Sequence, residues 1–168
     1  NDPMNLYNPT EVLDRVLYYS VFAVPAFVVD GAPSGTLNEA DWSGRIAAAS
    51  NETAQVYISA IDVVESIDSL HLEFELKTFG VNMTALTAWS LVSEDSIHFL
   101  GTNGEDLHMQ VMRDMTSTDI SALDNSMVIQ QSLKKPADYG ATGPMNLLIY
   151  VQGESDKAIL QSRAQNLY

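Results

Sequence analysis

The chain has 168 residues, 22 of them acidic against 8 basic, a formal charge of -14 and no cysteine. Disulfides, thiolate metal sites and a cysteine nucleophile are therefore excluded within these residues, and so acidic a surface repels phosphate backbones and anionic lipid, which argues against nucleic-acid or membrane-surface binding. With 46% hydrophobic and 18% charged residues the composition is that of an ordered protein able to bury a core, and no apolar run approaches the ~18 residues that span a bilayer.

In chain order, the first expected element is a helix opening at Asn8-Pro9, a cap residue before a proline at the first helical position. Val12, Leu13, Val16 and Leu17 recur at helical spacing and form its expected inner side, with Glu11, Asp14 and Arg15 on the other. The residue before Pro25 is pushed out of the helical region, and Ala26-Phe27-Val28-Val29 then reads as a short strand entering a hairpin at the Asp30-Gly31 turn. Thr36 and Glu39 have capping-box spacing for a second helix, ending near Ser50, with Leu37, Ala40, Trp42, Ile46 and Ala47 inward.

From residue 54 the pattern turns to alternation. Val56, Ile58 and Ala60 alternate with Tyr57, Ser59 and Ile61, and Leu70, Leu72, Phe74 and Leu76 alternate with His71, Glu73, Glu75 and Lys77. Further strands are expected at Thr84 to Val92, Ile97 to Leu100, Leu107 to Met112, Met127 to Leu133, Leu147 to Val151 and Ala158 to Ala164. About eight strands with frequent turns predict an antiparallel β-sandwich, Ig-like or jelly-roll-like, over residues 51–168.

Asp2-Pro3-Met4, Asn8-Pro9-Thr10-Glu11, Arg15, Tyr18-Tyr19, Val24-Pro25 and Asp30-Gly31 together resemble the signature of bacterial secreted and outer-membrane lipoproteins related to the 28-kilodalton outer-membrane protein. The similarity continues through His108, Val111 and Arg113 and returns at Ile149-Tyr150-Val151-Gln152 with Ile159-Leu160-Gln161. The resemblance implies an α+β fold: residues 1–50 as the second half of a thioredoxin-like domain (helix, cis-proline at Pro25, hairpin, helix), followed by the sandwich. It also implies structural roles for Tyr18, Tyr19, Asp30, Gly31, His108 and Arg113. The family's fold begins with a strand and a helix carrying C-x-x-C, which this chain does not contain, and activity does not carry over without them. A chain that opens with Asn1 and no leader-like stretch reads as a processed protein or a piece of one.

The remaining chemistry is sparse. His71, His98 and His108 form no metal-ligand spacing, no G-x-S-x-G marks a nucleophile, and there is no phosphate-cradling glycine loop. Catalytic, cofactor and transition-metal residues are therefore expected to be absent. Calcium is the cofactor still open, with Asp95, Asn103, Glu105 and Asp106 as candidate loop ligands, although no D-x-D-x-D-G loop is present.

The favoured expectation is a non-catalytic periplasmic, outer-membrane-associated or extracellular module acting through protein–protein contacts. The edge at Val24, Pro25, Ala26, Phe27, Val28 and Val29 would be covered by the sandwich, a protein partner or a second copy. Two alternatives stand beside it: a cysteine-free fragment of a thioredoxin-like thiol-disulfide oxidoreductase, and an adhesive sandwich binding calcium or glycans.

Overall fold

The structure is a computed structural model and describes residues 8–23, 26–33, 38–101, 104–135 and 143–167. Its elements in order are helix α1 (Pro9–Tyr18), strands β1 (Val28–Val29) and β2 (Ala32–Pro33), helix α2 (Glu39–Ala49), then β3 (Val56–Glu65), β4 (Ser69–Thr78), β5 (Met83–Glu94), β6 (Ile97–His98), β7 (Leu107–His108), β8 (Val111–Leu123), β9 (Ser126–Lys134), β10 (Met145–Gly153) and β11 (Ile159–Asn166).

Two antiparallel sheets carry the fold, one ordered β11-β10-β5-β8 and the other β3-β4-β9. Period-two alternation supplies their inner faces: Leu70, Leu72, Phe74 and Leu76 of β4 meet Leu147, Ile149 and Val151 of β10 in one buried cluster, shared with Val56, Ile58, Leu86 and Ile129. Each such fully buried side chain contributes roughly 1.5–3 kcal/mol, so this cluster dominates stability. The sheets also touch along their edges, where β8 runs into β9 through Asp124-Asn125 and where Arg163 of β11 donates to the Ile58 carbonyl of β3 at 2.9 Å.

The expected α+β class is corrected by this arrangement. The described chain is 54% strand and 14% helix, and neither helix contains a buried residue. Among the described residues, strands β1 and β2 pair only with each other, over two residues each, and join no larger sheet. Two short helices and an isolated hairpin cannot enclose a core of their own, so the described residues between 8 and 50 lie as an outer layer on a mostly-β molecule.

Several local expectations change with it. The Asn8 side chain makes no capping bond, and α2 is capped by Asn38, whose Oδ1 accepts from the Ala40 N–H at 2.9 Å. Glu39 is thus the first residue of the helix and not the third, and Thr36 lies outside the described residues. On α1, Leu13 and Leu17 face solvent, at 56% and 57% exposure, while Arg15 turns toward the sheet. Strand β8 runs through residues that lack an apolar alternation, because Arg113 and Thr118 occupy inward positions: Thr118 Oγ1 accepts from the core side chain of Gln131 at 3.0 Å. No helix among the described residues is long and apolar enough to cross a membrane.

Candidate functional site

Helix α1 rests on the outer face of the four-stranded sheet through one cation and four rings. Arg15, Tyr18 and Tyr19 share a helix face by their three- and four-residue spacing. Trp89 of β5 and Tyr150 of β10 are direct cross-strand partners, stacked at 6.2 Å. The Arg15 guanidinium lies 4.8 Å from the Tyr18 centroid, 4.7 Å from Tyr19, 4.8 Å from Trp89 and 5.9 Å from Tyr150. Its Nη2 donates to the Tyr19 hydroxyl at 2.7 Å, which also accepts from Gln152 Nε2 at 2.8 Å. Burial pushes the Tyr150 phenol well above its ordinary range and also raises that of Tyr18.

Lys157, in the turn between β10 and β11, completes the lock. Its ammonium sits 4.5 Å from the Tyr18 centroid and donates to the Tyr18 carbonyl. Its own carbonyl receives Gln152 Nε2 at 2.7 Å and lies against Gly31, where a Cβ would approach it to 1.7 Å. Asp30 and Gly31 both have positive φ, 51° and 81°, which is the twist a two-residue hairpin loop needs. The Asp30-Gly31 turn thus brings the hairpin tip onto the same end of the sheet as Tyr18 and Tyr19. Between hairpin and sheet is an open cleft of about 420 Å³ bordered by Arg15, Tyr19, Val28, Asp30 and Tyr150. Burial, with the nearby Glu52 charge, raises the Asp30 carboxyl above its ordinary value.

The outward side of this layer is apolar and open. Leu13 and Leu17 form a row on α1, Phe22 follows it into solvent, and Phe27 stacks on Trp42 of α2 at 4.5 Å. Of the expected edge segment, Val24 and Pro25 lie outside the described residues, Ala26 is exposed, and Phe27, Val28 and Val29 are half-buried. Among the described residues β1 has β2 as its one ladder partner, so its other edge is not covered by the sandwich strands.

The other candidate residues fall elsewhere. Asp95 accepts from Gln110 N at 2.6 Å, Gln110 Nε2 at 3.2 Å and Asn146 Nδ2 at 2.8 Å, so its oxygens are already used in tying β10 to the chain after β7. Glu105 and Asp106 lie beyond it in the β6–β7 connection, and Asn103 is outside the described residues. Among the described residues no three His, Cys, Asp or Glu side chains converge as a metal site. His108 and Arg113, adjacent in sequence pattern, separate in space: His108 Nε2 bonds the Phe99 carbonyl at 2.9 Å, while Arg113 enters the interior and pairs with fully buried Glu94.

Sequence reasoning missed Trp89, Tyr150 and Lys157 as the seat for α1. The readable signal was the outward phase of Trp89 and Tyr150 on strands whose other phase is core, since large rings on an outer face need a cover. It also missed the half-buried pair Asp114 and Glu11, where burial and the Glu11 charge raise the Asp114 carboxyl while its Oδ2 accepts from the Lys134 N–H at 2.5 Å.

No protein-family model matches the chain. No curated protein matches it either. Among solved structures it is similar to HBP35 of Porphyromonas gingivalis, a bacterial protein, with a TM-score of 0.76 and 17% identity over 99% of this chain. The chain spans 61% of that protein's length. β-Glucosidase 3B of Thermotoga neapolitana matches 68% of the chain and 16% of its own length at 9% identity and a TM-score of 0.38. A putative β-galactosidase of Bacteroides fragilis covers 68% of the chain and 16% of its own at 15% identity and 0.33. Both scores lie below 0.5 and bear on nothing beyond themselves, whereas the first establishes a shared fold.

Proposed function

We propose that this chain is a non-catalytic, envelope-associated or secreted bacterial module that works through protein–protein contacts, with the outer side of the α1–hairpin layer as its contact surface. The observation that carries the reading is the orientation of α1. Its cation and tyrosines face its own sandwich, and Leu13 and Leu17 face away. An amphipathic helix laid with leucines outward leaves apolar area in water unless another chain covers it. The half-open β1 edge on the same layer offers backbone groups to an added strand. The resemblance to bacterial lipoproteins related to the 28-kilodalton outer-membrane protein supports the location, and the net charge of -14 favours protein over nucleic acid as partner.

The test is sedimentation velocity on the natural protein extracted under gentle conditions, beside a Leu17→Asp variant. The reading expects the natural protein to sediment in an assembly heavier than its own chain, and Leu17→Asp to sediment lighter than the natural protein. A natural protein that sediments alone, with the variant indistinguishable from it, overturns the reading.

A further inference from the structure

The β6–β7 hairpin stands at the opposite end of the four-stranded sheet from the Lys157 turn, and it is apolar on both of its faces. Ile97 pairs with His108 and His98 with Leu107, and the Phe99 N–H donates to the Asp106 carbonyl at 3.0 Å. Strand alternation then places Ile97, Phe99 and His108 on one side and His98, Leu100, Leu107 and Met109 on the other. Ile97 is buried and anchors the first side. The second side is open, with Leu100 71%, Leu107 43% and Met109 55% exposed.

This hairpin is firmly held. The Asp95 carboxylate fixes Gln110 and Asn146 on either flank, the His108 ring closes on the Phe99 carbonyl, and Gly101 N–H donates to the Glu105 carbonyl at 2.7 Å. A short ladder this well braced presents its open apolar side as a fixed shape, which lowers the ordering cost of binding. Its solvent-facing charges carry one sign: by the same alternation exposed Glu105 stands on the Leu100–Leu107 side and exposed Asp106 on the Phe99 side, and no Lys or Arg occurs in the sequence between Lys77 and Arg113.

We propose that the His98–Leu100–Leu107–Met109 side of the β6–β7 hairpin is a second docking surface, and that its occupant is a protein presenting an apolar row rimmed by Lys or Arg. Apolar area supplies the contact and the acidic surroundings choose the partner's rim. A second copy of this chain would bring the same acidic rim and another formal -14 against it, so like charges oppose that occupant. A bilayer is opposed by Glu105 and Asp106, which insertion of the hairpin would carry toward lipid. The inference rests on the contact-module reading above and adds the place and chemistry of a further partner.

The test places a photo-reactive residue at Leu100, Met109 or Leu17 of the full chain, cross-links it in the cells that make it, and maps the adducts by mass spectrometry. The inference expects Leu100 and Met109 to label one and the same foreign protein, within an apolar segment flanked by Lys or Arg. Glu105→Lys, on the same side as Leu100 and Leu107, should lower that yield by about two- to fivefold, the size of one exposed charge pair, and about 1 M salt should lower it further by screening. Adducts at Leu100 and Met109 made only to a second copy, only to lipid, or to a segment without basic flanks overturn the inference. Adducts at Leu17 with none at the hairpin overturn it while leaving the contact-module reading intact. No adduct at any of the three positions defeats both.

Discussion

Replacing Arg15 with alanine should undock α1 without unfolding the sandwich. The guanidinium lies within 4.8 Å of three ring centroids and donates at 2.7 Å to the Tyr19 hydroxyl. Cation–π contacts contribute about 0.5–1 kcal/mol each where partly exposed, and one shared charge does not deliver three full contributions. A charge-assisted hydrogen bond adds about 1.5 kcal/mol or more. Against this, Arg15 Nη1 is buried with no hydrogen-bond partner among the described residues, which costs about 1–3 kcal/mol. The balance is a net stabilisation of about 1–3 kcal/mol, equivalent to about 5- to 150-fold in an opening equilibrium.

The assay is amide hydrogen exchange resolved along the chain. Arg15→Ala should accelerate exchange across Pro9–Tyr18 by that factor while Phe74 and Ile149, deep between the sheets, keep their protection. Arg15→Lys should recover only part of it, because an ammonium cannot lie flat between rings. Leu13→Ala, at an exposed position, should change exchange little. If Leu13→Ala opens the helix and Arg15→Ala does not, the docking mechanism is wrong.

Three further outcomes follow from the same geometry. Gly31→Ala should detach the hairpin, since a φ of 81° costs a non-glycine residue about 1–2 kcal/mol and the added Cβ meets the Lys157 carbonyl; limited proteolysis near residues 28–33 reads it, and unchanged resistance would contradict it. Glu94→Gln or Arg113→Met alone should destabilise the protein by about 3–5 kcal/mol in urea melts, because each removes one side of a buried ion pair, whereas Glu94→Leu with Arg113→Met should recover much of the loss; a double variant no better than the worse single one would contradict the pairing. Asp114 holds its proton more tightly in the folded chain than in the unfolded one, so its contribution to stability is complete below the ordinary carboxyl value of 3.8 and is lost as the pH rises through its raised folded value. Asp114→Asn should therefore raise the Tm at neutral pH, with the advantage fading toward pH 3.8, and a variant less stable at neutral pH would refute the burial argument.

Much of the outer layer was readable one residue at a time, and its arrangement was not. Asn8-Pro9 marked the start of α1 and Asp30-Gly31 the hairpin turn, because proline geometry and positive φ are local demands. Which face of α1 would be buried was not local. Leu13 and Leu17 give the apolar stripe that periodicity selects, yet the sheet beneath offers rings that take up Arg15. Strand β4 showed itself by clean alternation, whereas β8 escaped because Arg113 and Thr118 stand where apolar residues would signal a core face. The α+β expectation failed for a related reason. Helical spacing in the first fifty residues showed that helices form there, and only packing showed that they contribute no interior.

The contact-module account is tested most directly by comparing hydrogen exchange in the protein purified alone with exchange in the protein isolated together with its native assembly. The account expects the amides of α1 and of Ala26–Val29 to slow by at least tenfold in the assembly, about 1.4 kcal/mol of added protection, while those of β4 and β10 stay as they are. Equal exchange in the two preparations across α1 and the hairpin would contradict it.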